Sequence, residues 1–165
     1  MTKSLLILGA GGHGKVVKEI AEAIGYTKIA FLDDNSAEAI GKIADSKDFV
    51  DEYKAAFVGI GNNKFRGELL ARLEQEGYKI PVLVHPTAYV SKSAVIGKGT
   101  VVEPKAIVNA NSKIGVGCIV SVGAIVDHDV VLEDSVHVNA GAICKAGSFV
   151  SRETKLEAGQ VVKGY

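Results

Sequence analysis

His128 stands between two aspartates, Asp127 and Asp129, in a stretch otherwise made of Val, Ile, Ala, Gly and Ser. An imidazole there can take a proton from an attacking amine or hydroxyl near neutral pH, and a neighbouring carboxylate can hold one tautomer and raise its basicity. His128 and Asp129 are adjacent in sequence, so a bond between them must come from the geometry of a turn. The blander alternative is a turn histidine in an acidic corner. His137 lies nine residues further on, and His13 and His85 complete the four histidines of the chain. His85, beside Pro86, reads as structural.

A second group of residues suits a phosphate. The apolar run Leu5–Leu8 ends in Gly9-Ala10-Gly11-Gly12-His13-Gly14, whose Gly9, Gly11 and Gly14 meet the GxGxxG spacing. Glycines at such a turn let a phosphate approach a helix N-terminus closely. The acidic pair Asp33-Asp34, about 20 residues on, serves a dinucleotide or a smaller nucleotide equally, so the motif does not decide alone. A sheet too small for two mononucleotide halves argues against NAD. Asn62 and Lys64 fall at another strand end facing the same crevice, where Lys64 can neutralise phosphate. The structural alternatives are a glycine turn that joins strand to helix and a solvated lysine.

The elements that must carry these groups follow two patterns. Residues 1–83 alternate short apolar runs with helical ones: strands over Lys3–Leu8, Lys28–Leu32 and Lys54–Ile60, and a short one over Lys79–Val82. Helices are expected over Lys15–Ile24, burying Val16, Val17, Ile20, Ala23 and Ile24, and over Lys64–Glu76, burying Phe65, Leu69, Leu70 and Leu73. This alternation indicates a small parallel sheet with helices on its faces, a Rossmann-like α/β unit.

From Val84 the grammar changes. Every sixth residue is apolar: Val84, Val90, Ile96, Val102, Val108, Ile114, Val120, Val126, Leu132, Val138, Cys144, Val150, Leu156, Val162. Four residues after most of them the side chain is small, as in Ala88, Ala94, Ala106, Ser112, Ala124 and Ala142. A helix cannot use this period, because six residues rotate it by about 240° net and successive members leave the common face. A three-sided solenoid can, since each six-residue unit supplies one flat side and one corner, with the branched residue inward. Residues 84–165 are therefore expected to form a left-handed parallel β-helix of hexapeptide repeats.

Together these motifs resemble the sugar-nucleotide acetyltransferases of the left-handed β-helix superfamily, including bacterial enzymes that N-acetylate a UDP-linked amino sugar and the sialic acid O-acetyltransferases. The resemblance rests on the glycine loop from Gly9, on Phe31-Leu32-Asp33-Asp34, on Gly59-Ile60-Gly61-Asn62, and on Val126-Asp127-His128-Asp129 with Val136-His137-Val138. It implies His128 as general base with Asp129 as its orienting acid. It implies His137 in the acetyl-CoA pocket, donating to the thioester carbonyl, with the Ala146–Gly147 segment, and the backbone N–H of Ala146 in particular, as partner. It implies that Gly9, Gly11, Gly12 and His13 hold the UDP portion, His13 near phosphate or sugar and Asp33 or Asp34 near the uracil, with Asn62 and Lys64 nearby. Acetyl-CoA is the implied cosubstrate, and a homotrimer with sites between subunits the implied assembly. The sequence departs from the family at Ser121, where Asn is frequent, and at Ala140, where Pro is frequent. Family members usually continue for several further hexapeptides that help to bind the acyl donor, whereas this sequence ends at Tyr165. Sugar O-acetylation remains open, because one base serves both acceptors. So does a non-catalytic sugar-nucleotide-binding scaffold.

Composition limits the other options. The chain has 165 residues, 19 basic and 19 acidic side chains, and a formal net charge of zero. Without a concentrated basic face, nucleic acid is not an expected partner. The first apolar run is too short for a signal peptide and no stretch is long enough to span a bilayer, so a cytoplasmic protein is expected. Cys118 and Cys144 suit a packed interior as reduced thiols. A zinc site like that of the superfamily's carbonic anhydrases is not expected, because His128 and His137 fall on different sides of one coil and His85 is out of register.

Overall fold

The computed structural model describes residues 3–165. Strands β1 (Ser4–Leu8), β2 (Lys28–Leu32), β3 (Ala39–Gly41) and β4 (Ala56–Val58) form one parallel sheet in the order β3-β2-β1-β4. Helix α1 (Gly12–Ala23) covers one side and α2 (Asn63–Gln75) the other. Because both sides are covered, β1 is apolar at successive positions: Leu5 and Ile7 pack with Val17 and Ile20, while Leu6 and Leu8 pack with Leu69 and Leu73.

Several boundaries differ from those read in the sequence. The third expected strand shortens to Ala56–Val58, and Lys79 contributes a single bridge to Ala55 instead of opening a strand. A short strand, β3, and a 3-10 turn over Ile43–Phe49 fill a stretch where none was expected. Both helices bury most of the expected stripe, with Val17 and Ile20 on α1 and Leu69, Leu70 and Leu73 on α2, and differ at its edges. On α1 the buried side is Gly14, Val17, Ile20 and Ala21, leaving Val16 outside. On α2 it is Arg66, Leu69, Leu70 and Leu73, a strict i, i+3, i+4, i+7 set, and Phe65 stays 41% exposed. An arginine occupies the place that hydrophobicity alone assigned to its aromatic neighbour.

The remaining chain coils into a left-handed parallel β-helix. Its first face stacks Leu83–Val84, Val101–Val102, Ile119–Val120 and His137–Val138. Its second stacks Tyr89–Val90, Ile107–Val108, Ile125–Val126, Ile143–Cys144 and Val161–Val162. Its third stacks Val95–Ile96, Lys113–Ile114, Val131–Leu132 and Phe149–Val150. Each pairing joins residues 18 apart, the three-unit coil that the six-residue period predicts. The inward stripe from Val102 through Leu156 is buried with Ala106, Ala124, Ala142 and both free cysteines, Cys118 and Cys144.

Corners turn by a left-handed residue at their third position: Gly99, Lys105, Asn111, Gly117, Gly123, Asp129, Ser135, Gly141, Gly147, Glu153 and Gly159 have φ between 57° and 70°. Glycine adopts this conformation without strain, but five of these eleven corners are turned by other residues.

The α/β unit docks on the first face. Outward-pointing Leu83, Val101 and Ile119 join the cluster beneath β1 and α1. Leu70 of α2 nests against Gly99 and Gly117 at the corner between the third and first faces, where a Cβ on Gly117 would fall 2.5 Å from Leu70 Cδ1.

Candidate active site

Two separate groups of chemistry-bearing residues emerge. The first sits at the corner between the second and third faces. Asp129, at φ 57°, turns its carboxylate back onto the preceding ring, so that His128 Nδ1 and Asp129 Oδ2 lie 2.7 Å apart. The backbone N–H of His128 donates to Asp127 Oδ1 at 2.7 Å, and Asn109 from the coil below donates to the same oxygen at 3.1 Å. One aspartate therefore anchors the backbone and the other the ring. The bond from Asp129 raises the His128 pKa above its ordinary value, and the imidazole in return lowers that of Asp129. With its proton on Nδ1, His128 leaves Nε2 as a partly exposed base.

Ala146 and Gly147 lie one coil above His128 and Asp129. The N–H of Gly147 donates to the His128 carbonyl at 3.0 Å, and the Tyr165 ring lies against Gly147, 6.4 Å between centroids from His128.

The second group lies under the N-terminus of α1. His137 continues the outward column of the first face after Leu83, Val101 and Ile119. Its Nε2 pairs with Ser121 Oγ at 2.9 Å, while its Nδ1 is buried with no partner. Burial, then the nearby Arg66 charge, pushes its pKa down to about 4, so it is neutral at physiological pH. His13 approaches the same place from α1, with Nδ1 3.5 Å from Glu103 Oε1 and a buried, unpartnered Nε2. His137 is thus brought together with His13 and not with Ala146 or Gly147. Within one chain Ala146 and Gly147 lie with His128 on a different side of the coil from His137.

The glycine loop divides its labour. Gly14 lies so close to Gly9 that an added Cβ would stand 2.0 Å from the Gly9 carbonyl oxygen, and a Cβ on Gly59 would stand 2.7 Å from Gly14 Cα. These glycines let helix, loop and strand end pack together. Gly11 and Gly12 face open space at the start of α1, which has no side-chain cap. Its first N–H groups are therefore free for an anion. Asp33 spends both oxygens on the loops, accepting from Ala10 N at 2.8 Å, Asn35 N at 2.8 Å and Ser36 N at 3.0 Å. Those bonds, led by that from Ala10, lower its pKa. Asp34 accepts from Ile43 N. Asn62 caps α2 by accepting from Phe65 N. With Gly61, Lys64, Glu153 and Lys155 it borders a hollow of about 460 Å³.

Beyond the residues that the sequence singles out, the structure brings Arg66, Glu103, Ser121 and Asp127 to these two groups. Arg66 is 1% exposed and donates only to neutral oxygens: Ile60 and Gly61 carbonyls, Asn63 Oδ1, and the Gly117 and Ser135 carbonyls of the coils. It ties the loop after β4 to the β-helix. The signal that could have found it is its place on the i, i+3, i+4 stripe of α2. Among the described residues no cluster of His, Cys, Asp and Glu has the arrangement of a metal site, and no helix is long and apolar enough to cross a membrane.

Comparison with known proteins adds a family context. Residues 4–73 match the family described as PglD N-terminal domain. The acetyltransferase domain of PglB from Neisseria gonorrhoeae FA1090, solved in complex with acetyl coenzyme A, is 38% identical, covers 99% of this chain and 83% of its own, and superposes with a TM-score of 0.93. A variant of perosamine N-acetyltransferase from Caulobacter crescentus, in complex with CoA and GDP-perosamine, is 28% identical over 98% of this chain and 89% of its own, with a TM-score of 0.90. UDP-N-acetylbacillosamine N-acetyltransferase of Bacillus subtilis (strain 168) is 34% identical over 111 residues, 61% of this chain. That match spans about half, 51%, of the Bacillus protein.

Proposed function

This chain belongs to the hexapeptide-repeat, left-handed β-helix acetyltransferases related to the sugar-nucleotide N-acetyltransferases, and we propose that it transfers an acetyl group from acetyl-CoA to the amine of a UDP-linked amino sugar. The observation that carries this reading is the His128–Asp129 pair, 2.7 Å apart, with Nε2 left as a partly exposed base. Two named relatives support the donor and the acceptor class, one solved with acetyl coenzyme A and one with CoA and GDP-perosamine. The uridine nucleotide is favoured by the Bacillus relative's name, and the perosamine enzyme makes a guanosine nucleotide the alternative to test.

In this mechanism the α/β unit holds the nucleotide at the open Gly11–Gly12 end of α1, and the sugar amine reaches His128 Nε2. The amine nitrogen attacks the thioester carbon while His128 takes its proton, and Asp129 stabilises the imidazolium that forms. The tetrahedral oxyanion collapses, the carbon–sulfur bond breaks, and CoA leaves as thiolate. His137 supplies a neutral hydrogen-bonding group, and the corner of Ala146 and Gly147 borders the donor side of His128.

A homotrimer accounts for the separation of the two groups. The second face carries an outward column of Tyr89, Ile107, Ile125, Ile143 and Val161, and it ends at the His128 corner. Covering that column with a neighbouring copy would bring His128 of one subunit to the His13–His137 crevice of the next.

The test follows thiol release with acetyl-CoA and UDP- or GDP-linked amino sugars. Release with the UDP acceptor above that with GDP supports the proposal. Release with an acceptor bearing only hydroxyls assigns O-acetylation, and no release with any acceptor, together with nucleotide-sugar binding, assigns the scaffold role.

A further inference from the structure

Glu103 is 7% exposed and lies at the corner between the first and second faces, among residues that the proposed reaction does not yet use. Its Oε2 accepts from the N–H of Val122, one coil above, at 2.9 Å, which fixes the carboxylate in place. Its Oε1 then stands 3.5 Å from His13 Nδ1. A neutral imidazole beside a fixed carboxylate oxygen carries its proton on the facing nitrogen, because the other tautomer would set two lone pairs against each other. The remaining nitrogen, His13 Nε2, is buried and without a partner. A buried polar atom left this way is costly, and ligands commonly satisfy one at a functional site. The neighbouring His137 repeats the arrangement, with Nε2 held by Ser121 Oγ and Nδ1 unpartnered.

We infer that Glu103 is a positioning residue that holds His13 in its Nδ1–H form, so that His13 Nε2 accepts a hydrogen bond from an amide N–H on the sugar of the bound nucleotide. This deepens the proposed function and rests on the reading of His13 as an acceptor-sugar ligand. It assigns the crevice a polarity: the substrate group placed at His13 must be a donor, and a sugar carrying an acceptor or no polar group there binds poorly.

Glu103→Gln (E103Q) is the discriminating change. The Gln side-chain oxygen can still accept from Val122 N, so the corner is kept, while its NH₂ turns toward His13 and forces Nδ1 to become the acceptor. The His13 proton then moves to Nε2. Nitrogen-15 NMR of labelled full-length protein reads the tautomer directly, and calorimetry with the nucleotide amino sugar reads binding without needing catalysis. The expected result is an Nδ1–H signature for His13 in wild type, an Nε2–H signature in E103Q, a Kd for the nucleotide sugar raised about tenfold or more, and an unchanged Kd for acetyl-CoA. An Nε2–H form in wild type, or one unaffected by E103Q, overturns the positioning role. A reversed tautomer with an unchanged nucleotide-sugar Kd overturns the assignment of Nε2 as the substrate's acceptor. If wild type releases no thiol with any acceptor, the acetyltransfer reading fails, whereas the tautomer and binding results still decide for or against Glu103.

Discussion

His128 and Asp129 show how two adjacent residues make a dyad: the left-handed backbone at Asp129 folds its carboxylate against the ring one residue back. The position of that residue in the six-residue period was visible in the sequence, but the backbone turn that joins the pair was not. In the proposed mechanism His128 must be neutral to act, and its pKa is raised, so the rising limb of the pH–rate profile should lie above the ordinary histidine value. Asp129→Asn (D129N) removes the first cause of that shift and should move the limb to lower pH, while His128→Ala should remove the limb and lower kcat by about 10²–10⁴. Wild-type kcat and an unchanged limb in H128A would show that another group is the base. His137 gives a signal of opposite sign. Its folded pKa of about 4 lies below its unfolded value, so the unfolded chain takes up the proton first. Stability is lost as pH falls from about 6.5 to about 4, and His137→Asn should flatten that part of a melting-temperature profile.

At the scale of the elements, the repeat was legible because one inward residue recurs every sixth position without insertion, and nothing in the α/β unit has comparable redundancy. There, β2 matches the reading to the residue, and Val17, Ile20, Leu69, Leu70 and Leu73 are buried as expected, but Val16 and Phe65 are not. Hydrophobicity cannot foresee that Arg66 is buried, because what makes its burial tolerable is five oxygens from the loop after β4, from α2 itself and from two distant coils. Arg66→Met should therefore destabilise the protein by about 2–4 kcal/mol, as carbonyls lose their donors in a dry interface, measured by urea unfolding. The glycine loop makes a paired prediction. Gly14→Ala sets a Cβ against the Gly9 carbonyl and should lower the melting temperature sharply, whereas Gly12→Ala meets open space and should leave it unchanged. The GxGxxG spacing alone does not separate these positions; the approach of α1 to the ends of β1 and β4 does.

On the scale of the whole molecule, the three faces of the β-helix are unlike one another. The first is covered by the chain's own α/β unit, and the third breaks its outward column with Lys113 between Val95 and Val131. The second carries five apolar residues in a row, with Tyr89 57% and Val161 49% exposed. A surface of this kind is covered most economically by copies of itself around a closed axis. Sedimentation should therefore give a mass near 52 kDa, three times the 17.3 kDa chain. Ile125→Glu places a charge in the middle of that column without touching the inward Val126, so the coil should keep its circular dichroism while the mass falls to that of one chain. Lys113→Glu, on the third face, should leave the trimer intact. Because the His128 corner begins two residues after Ile125, dissociation should also abolish thiol release although both histidine groups remain folded in each copy. If Ile125→Glu stays trimeric, the second face is not the interface. If the monomer keeps wild-type activity, each chain completes its own site and the two groups act without a neighbour.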